Sequence, residues 1–186
     1  MCGLTGFFDI RQSRKSYDSK KIIENMSDVL KSRGPDDKGI WIDKKNNVFF
    51  GHRRLSIIEL SNLGNQPMVS HNKRYVIVFN GEIYNFLKLK NELEIENIKF
   101  VGNSDTEVLL EALARWGIKK VLDKISGMFA FALWDKKNKK LFLARDRFGI
   151  KPLYFSYLNG IFFFSSQTKS FLKHPNWKGE ISFNAL

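Results

Sequence analysis

The chain's one cysteine stands at position 2 of 186 residues, behind Met1 and ahead of Gly3-Leu4-Thr5-Gly6. Removal of Met1 would leave Cys2 with a thiol and a free α-amine on one residue, a nucleophile beside its own base. An α-amine titrates near about 7.7–8.0, so it can take the thiol proton and return it to a leaving group near neutral pH. No histidine partner is then required. In an arbitrary intracellular sequence, a second-position cysteine is more simply an accident of the chain start, so the rest of the chain must decide. The three histidines, His52, His71 and His174, have no metal-ligand spacing, and neither a metal nor a cofactor is assigned.

The elements that must position Cys2 are mostly hairpins. Asn159-Gly160 separates Leu153–Tyr157 from Ile161–Phe164, and that dipeptide accepts the positive φ angles of a tight two-residue turn. Looser polar turns join Gly39–Ile42 to Val48–Phe50 and Phe129–Trp134 to Leu141–Ala144. Further strands are expected at Leu4–Ile10 and Tyr75–Phe79. Between Ser19 and Lys31, apolar residues recur at helical spacing until Gly34-Pro35 stops the run. Ser104 and Glu107 have capping-box spacing before Val108, Ala112, Leu113 and Trp116, with Gly117 as the stop. A weaker helix covers Asn85–Glu94, and Glu59–Tyr75 reads as a long irregular loop. Antiparallel hairpins without regular crossover helices give an α+β class, stacked sheets covered by helices.

At this length, with 43% hydrophobic residues, one domain is expected. A single cysteine excludes an internal disulfide framework and favours the cytoplasm. No apolar stretch has the length of a membrane span, and Leu4–Phe8 lacks the order of a secretory signal. The net charge of +12 is scattered over lysine pairs at turns and helix ends, which reads as solvated surface, so no nucleic-acid partner is assigned.

The motifs, taken in order, are more specific. They are Cys2-Gly3-Leu4-Thr5-Gly6, Arg33-Gly34-Pro35-Asp36-Asp37, Gly51-His52-Arg53-Arg54-Leu55-Ser56-Ile57, Phe79-Asn80-Gly81-Glu82-Ile83-Tyr84-Asn85, Ser104-Asp105-Thr106-Glu107, Gly127–Ala132 and Ala144–Leu153. This series resembles the N-terminal glutaminase domain of glutamine-dependent asparagine synthetases, class II amidotransferases with an N-terminal nucleophile. The resemblance implies a four-layer αββα sandwich of two antiparallel sheets flanked by helices. It also implies hydrolysis of L-glutamine to glutamate and ammonia through a Cys2 thioester.

On that resemblance Asn80 and Gly81 match the oxyanion hole, which needs donors fixed where negative charge develops. Arg54 matches the partner of the glutamine α-carboxylate and Asp105 that of its α-ammonium. Leu55, Ser56, Ile57, Ile58 and Glu82 complete the substrate site. The stretch Ser165–Lys169 departs from the family by having Gln167 in place of a glutamate. No Ser-Gly-Gly-x-Asp-Ser nucleotide loop is present, so an ATP-dependent synthetase domain or subunit is the expected receiver of ammonia. The expected domain spans residues 2–172, with 173–186 leading toward that absent unit. The competing reading is an idle glutamine-sensing or docking module of the same fold.

Overall fold

A computed structural model describes residues 1–11 and 18–179; most of the expected lead segment, from 180 onward, lies outside the described residues. Among the described residues, nine strands form two antiparallel sheets. Sheet A contains β1 (Gly3–Asp9), β2 (Asp37–Asp43), β3 (Val48–Arg54), β8 (Tyr154–Leu158) and β9 (Ile161–Ser165), in the order β2-β3-β1-β9-β8. Sheet B contains β4 (Met68–Val69), β5 (Tyr75–Ile83), β6 (Gly127–Asp135) and β7 (Lys140–Arg145), in that order.

Alternation of side chains along β1 explains how the layers stack, because successive residues face opposite sides of a strand. Leu4 and Phe8 join Phe50, Val76, Val78, Trp134 and Phe164 in the core between the sheets. Phe7 points the other way, toward Ile23 and Met26 of α1 (Ser19–Asp28). Full burial of Phe7, Phe50, Phe163 and Phe164 stabilises the fold by roughly 1.5–3 kcal/mol each before entropy is counted. On the outer face of sheet B, Ile77, Phe79 and Phe131 pack on α2 (Phe86–Ile95), α3 (Asp105–Trp116) and α4 (Ile118–Lys124). The result is the four-layer αββα sandwich of the α+β class.

Local chemistry sets the turns and caps. Asn159 and Gly160 both take positive φ, 49° and 74°, closing the β8–β9 hairpin as the dipeptide requires. Ser104 Oγ accepts the N–H of Glu107 at 3.0 Å, half of the expected capping box. The other half is absent, because the Glu107 carboxylate accepts the N–H groups of Val101 and Gly102 instead, each at 2.8 Å. Gly117 ends α3 as expected, yet the chain re-enters a helix at once as α4, which no cap signal announces. The long Glu59–Tyr75 loop contains a 3-10 turn at Asn62–Gly64 and the two-residue strand β4. None of the helices among the described residues is long and apolar enough to cross a membrane.

Candidate active site

The chain start is held on several sides. Cys2 leads directly into β1, and its carbonyl accepts the Nε–H of Arg33 at 3.0 Å. Its Sγ accepts the N–H of Leu55 at 3.4 Å and faces the Leu55 carbonyl at 3.6 Å. Leu55 follows β3, and β3 pairs with β1 in a register that sets Gly3 against Arg53. Sheet pairing therefore brings the thiol to the end of the strand that carries Arg54. Burial pushes the Cys2 thiol up from its ordinary value, opposed by the Leu55 N–H, the terminal amine and Arg54, and reinforced by Asp105. A protonated resting thiol needs a base before it can attack.

Cys2 opens onto a cavity of about 90 Å³ lying between the ends of the two sheets. Arg54, Leu55, Ile57 and Ile58 form one wall, Asn80, Gly81 and Glu82 another, and Asp105 a third. Ser56 does not line the cavity, since its N–H is directed to Asp36 Oδ2 at 2.8 Å.

Asn80 is 1% exposed, and its side-chain nitrogen Nδ2 has no hydrogen-bond partner among the described residues. Buried amide donors are nearly always paired, so an unpaired one on a cavity wall is a donor awaiting an acceptor. Gly81 follows it in β5, where a Cβ would stand 2.3 Å from the Met128 carbonyl of the neighbouring strand. Only glycine keeps β5 and β6 in register there.

Arg54 is 7% exposed and has several partners. Its Nη1 donates to the Ser61 carbonyl at 2.8 Å and Asn65 Oδ1 at 2.9 Å, and its Nη2 donates to the Glu59 carbonyl. A Cβ on Gly64 would lie 2.2 Å from Nη2, so glycine is what lets the loop close over the guanidinium. With five N–H donors and three of these bonds, Arg54 retains donors beyond those that hold the loop. Asp105 stands at the start of α3 and accepts the Ile83 N–H through Oδ2 at 3.0 Å. Burial raises its pKa; the N–H groups of Ile83 and Thr106 oppose the rise, and the charge of Glu82 adds to it.

The cavity also contains residues that sequence reasoning passed over, among them Glu59, Gln66, Thr106, Met128 and Lys151. Gln66 lay inside the stretch read as irregular loop. Thr106, Met128 and Lys151 belonged to motifs recognised only as strings, without a role for these residues. Among the described residues no group of three His, Cys, Asp or Glu side chains could hold a metal ion.

Comparison with known proteins identifies the family. The family described as "Glutamine amidotransferase domain" matches residues 1–186. Asparagine synthetase [glutamine-hydrolyzing] 3 of Bacillus subtilis is 39% identical over 188 residues, covering 100% of this chain and 30% of the relative. Asparagine synthetase [glutamine-hydrolyzing] 1 of the same organism is 43% identical, covering 95% of this chain and 27% of its own length. The chain thus spans less than a third of these two relatives. The glutamine phosphoribosylpyrophosphate amidotransferase from B. subtilis shares the fold, with a TM-score of 0.75 at 22% identity over 91% of this chain and 43% of that one. From its first residues to its last, the chain belongs to the glutamine amidotransferase domain family.

Proposed function

We propose that the chain hydrolyses L-glutamine to L-glutamate and ammonia, as the ammonia-supplying part of an asparagine synthetase-like amidotransferase. The observation that carries this reading is the unpaired, buried Asn80 amide on the wall of the cavity that holds the Cys2 thiol. With Met1 removed, the Cys2 amine takes the thiol proton and Sγ attacks the side-chain amide carbon of glutamine. The S–C bond forms as the carbonyl π pair moves to oxygen, where Asn80 Nδ2–H and the Gly81 N–H receive the negative charge. Collapse breaks the C–N bond, and the ammonium of Cys2 protonates the leaving nitrogen as ammonia. Water then cleaves the thioester, giving glutamate and the free thiol.

Arg54 holds the substrate carboxylate with its remaining donors and Asp105 accepts from the α-ammonium, so the cavity selects the free amino acid. Backbone groups of Leu55, Ile57, Ile58 and Glu82 complete the enclosure, and Ser56 supports it through Asp36. Residues 2–172 form the catalytic unit and 173–186 lead toward a synthetase domain or separate subunit that receives the ammonia. The names and greater length of the B. subtilis relatives support that partner.

Intact-mass measurement of the purified chain should show loss of Met1, and a glutaminase assay should show turnover that Cys2→Ala abolishes. A retained Met1 with no turnover would favour the idle glutamine-sensing module, and full turnover by Cys2→Ala would exclude the thioester route.

A further inference from the structure

The oxyanion-binding segment sits on a strand with one unpaired edge. On one side β5 pairs with β6 over its whole length, from Tyr75 opposite Asp135 to Ile83 opposite Gly127. On the other side β4 covers only Val76 and Ile77. Backbone groups of successive residues in an antiparallel strand point to alternate neighbours. Phe129, opposite Gly81, directs its N–H and C=O away from β5, to Asp146 Oδ2 at 3.2 Å and the Asp146 N–H at 2.8 Å. Gly81 must therefore face the open edge, together with Phe79 and Ile83.

Side chains replace the missing strand at the two flanking positions. The Phe79 N–H donates to Gln66 Oε1 at 2.6 Å, and its carbonyl meets His52 Nε2 at 3.0 Å. The Ile83 N–H donates to Asp105 Oδ2 at 3.0 Å. The Gly81 N–H between them is left directed at the cavity. Gln66 is 7% exposed, its carbonyl lies where a Cβ on Gly39 would be, and its Nε2 donates to Thr106 Oγ1 at 3.4 Å. One side chain thus ties the edge of β5 to the first turn of α3.

We infer that Gln66 is a positioning residue for the oxyanion hole, its side-chain oxygen standing in for an absent strand partner and fixing the backbone that carries Asn80 and Gly81. The inference rests on the glutaminase reading and deepens it. Gln66 touches no reacting atom in this role. Its acceptor holds a buried N–H one residue before Asn80, and small misplacements of catalytic donors cost about 100-fold in rate.

The test compares Gln66→Met, which removes the acceptor at similar length, with Gln66→Glu, which keeps an oxygen for Phe79. In the active, Met1-processed chain, Gln66→Met should lower kcat by roughly 10- to 100-fold while KM stays within about threefold. Gln66→Glu should recover most of kcat. Inhibition by the γ-semialdehyde of glutamate, whose adduct with Cys2 bears the oxyanion, should weaken in step with kcat, whereas inhibition by glutamate should not. Amide hydrogen exchange needs no turnover, and Gln66→Met should speed it at Phe79–Gly81 but not at Tyr75–Ile77. Unchanged kcat and exchange, or equal losses in both variants that follow a lowered melting temperature, would overturn the inference. If the wild-type chain neither hydrolyses glutamine nor forms the adduct, the glutaminase reading fails, while the exchange comparison still decides whether Gln66 fixes the strand.

Discussion

Asp105 and Arg54 line the same cavity but answer to different variables. Burial raises the Asp105 carboxyl, which accepts from backbone N–H groups and lines the cavity. As pH falls through that raised pKa the carboxyl takes a proton and ceases to attract an ammonium. KM for glutamine should therefore rise on the acid side, separately from the fall in kcat as the Cys2 amine is protonated. Asp105→Asn should give a high KM without the Asp105 part of the acid-side rise, as steady-state profiles from pH 4 upward would show. An Asp105→Asn profile as steep as wild type would assign the dependence elsewhere. The effect of Arg54 is geometric, because its planar guanidinium presents several donors in a fixed fork. Arg54→Lys keeps the charge but cannot hold the Ser61 and Glu59 carbonyls, Asn65 and a carboxylate together. Its KM should rise about 10-fold or more, with faster proteolytic nicking between residues 57 and 66 as the independent sign that the loop has been released.

At the level of elements, α3 organises two loops through its buried acids. The Glu107 carboxylate accepts from Val101, Gly102 and His71 Nε2, while Glu111 Oε1 accepts the His71 N–H at 2.8 Å. Glu107→Ala strands two backbone donors at once, which should lower stability by about 2–4 kcal/mol in chemical denaturation. A loss below about 1 kcal/mol would mean that water replaces the carboxylate freely. This role shows where the sequence was legible. Ser104-Asp105-Thr106-Glu107 announced a helix start, and the Ser104 cap is present, but the spacing could not reveal that Glu107 turns outward to bind a loop rather than back to its own cap. Strands with clear alternation or an Asn-Gly turn were readable because side-chain period and turn stereochemistry are local. The two-residue β4, paired with Val76 and Ile77 nearby, was not, because two residues are too short to show a period, and the Gln66 clamp was not, because its partners lie 13 and 40 residues away. Cys2 was legible from the chemistry of its own thiol and amine, whereas Arg54, Asn80 and Asp105 were legible only as strings in a known order. Their meeting at one cavity is set by the pairing of β1 with β3 and the docking of α3 on β5, neither of which a linear pattern encodes.

For the whole molecule, a titratable group links the two sheets near the site. His52 lies on β3 of sheet A, 1% exposed, with Nε2 against the Phe79 carbonyl of sheet B. Burial lowers its pKa to about 4, with the Phe79 carbonyl opposing and Arg54 contributing to the fall. His174, packed edge-on against Phe7 and Phe163, is likewise lowered to about 4 by burial. Both folded values lie below the ordinary 6.5, so the unfolded chain binds protons first as pH falls. Stability is then complete above pH 6.5 and lost progressively toward pH 4, and the His52 contribution to that loss is about 3 kcal/mol. Asp135 behaves differently: burial raises its carboxyl, but bonds from Arg74 and the Asn138 and Lys137 N–H groups outweigh this and bring it to about 2. Its stabilisation is lost only below about pH 4, outside the histidine window. His52→Gln keeps a donor for the Phe79 carbonyl and cannot titrate there. Urea unfolding at pH 4.5, 5.5, 6.5 and 7.5 should show the variant less stable than wild type at the upper end, or equal to it, and losing stability along a clearly shallower slope. Parallel slopes would show that the buried imidazole is not what couples acid to unfolding. Because the same ring anchors the carbonyl next to Asn80, acid that charges it should loosen the oxyanion strand and the sheet-to-sheet contact together. Wild-type glutaminase activity should therefore fall in the same pH interval as stability, beyond the parts explained by Asp105 and by protonation of the Cys2 amine.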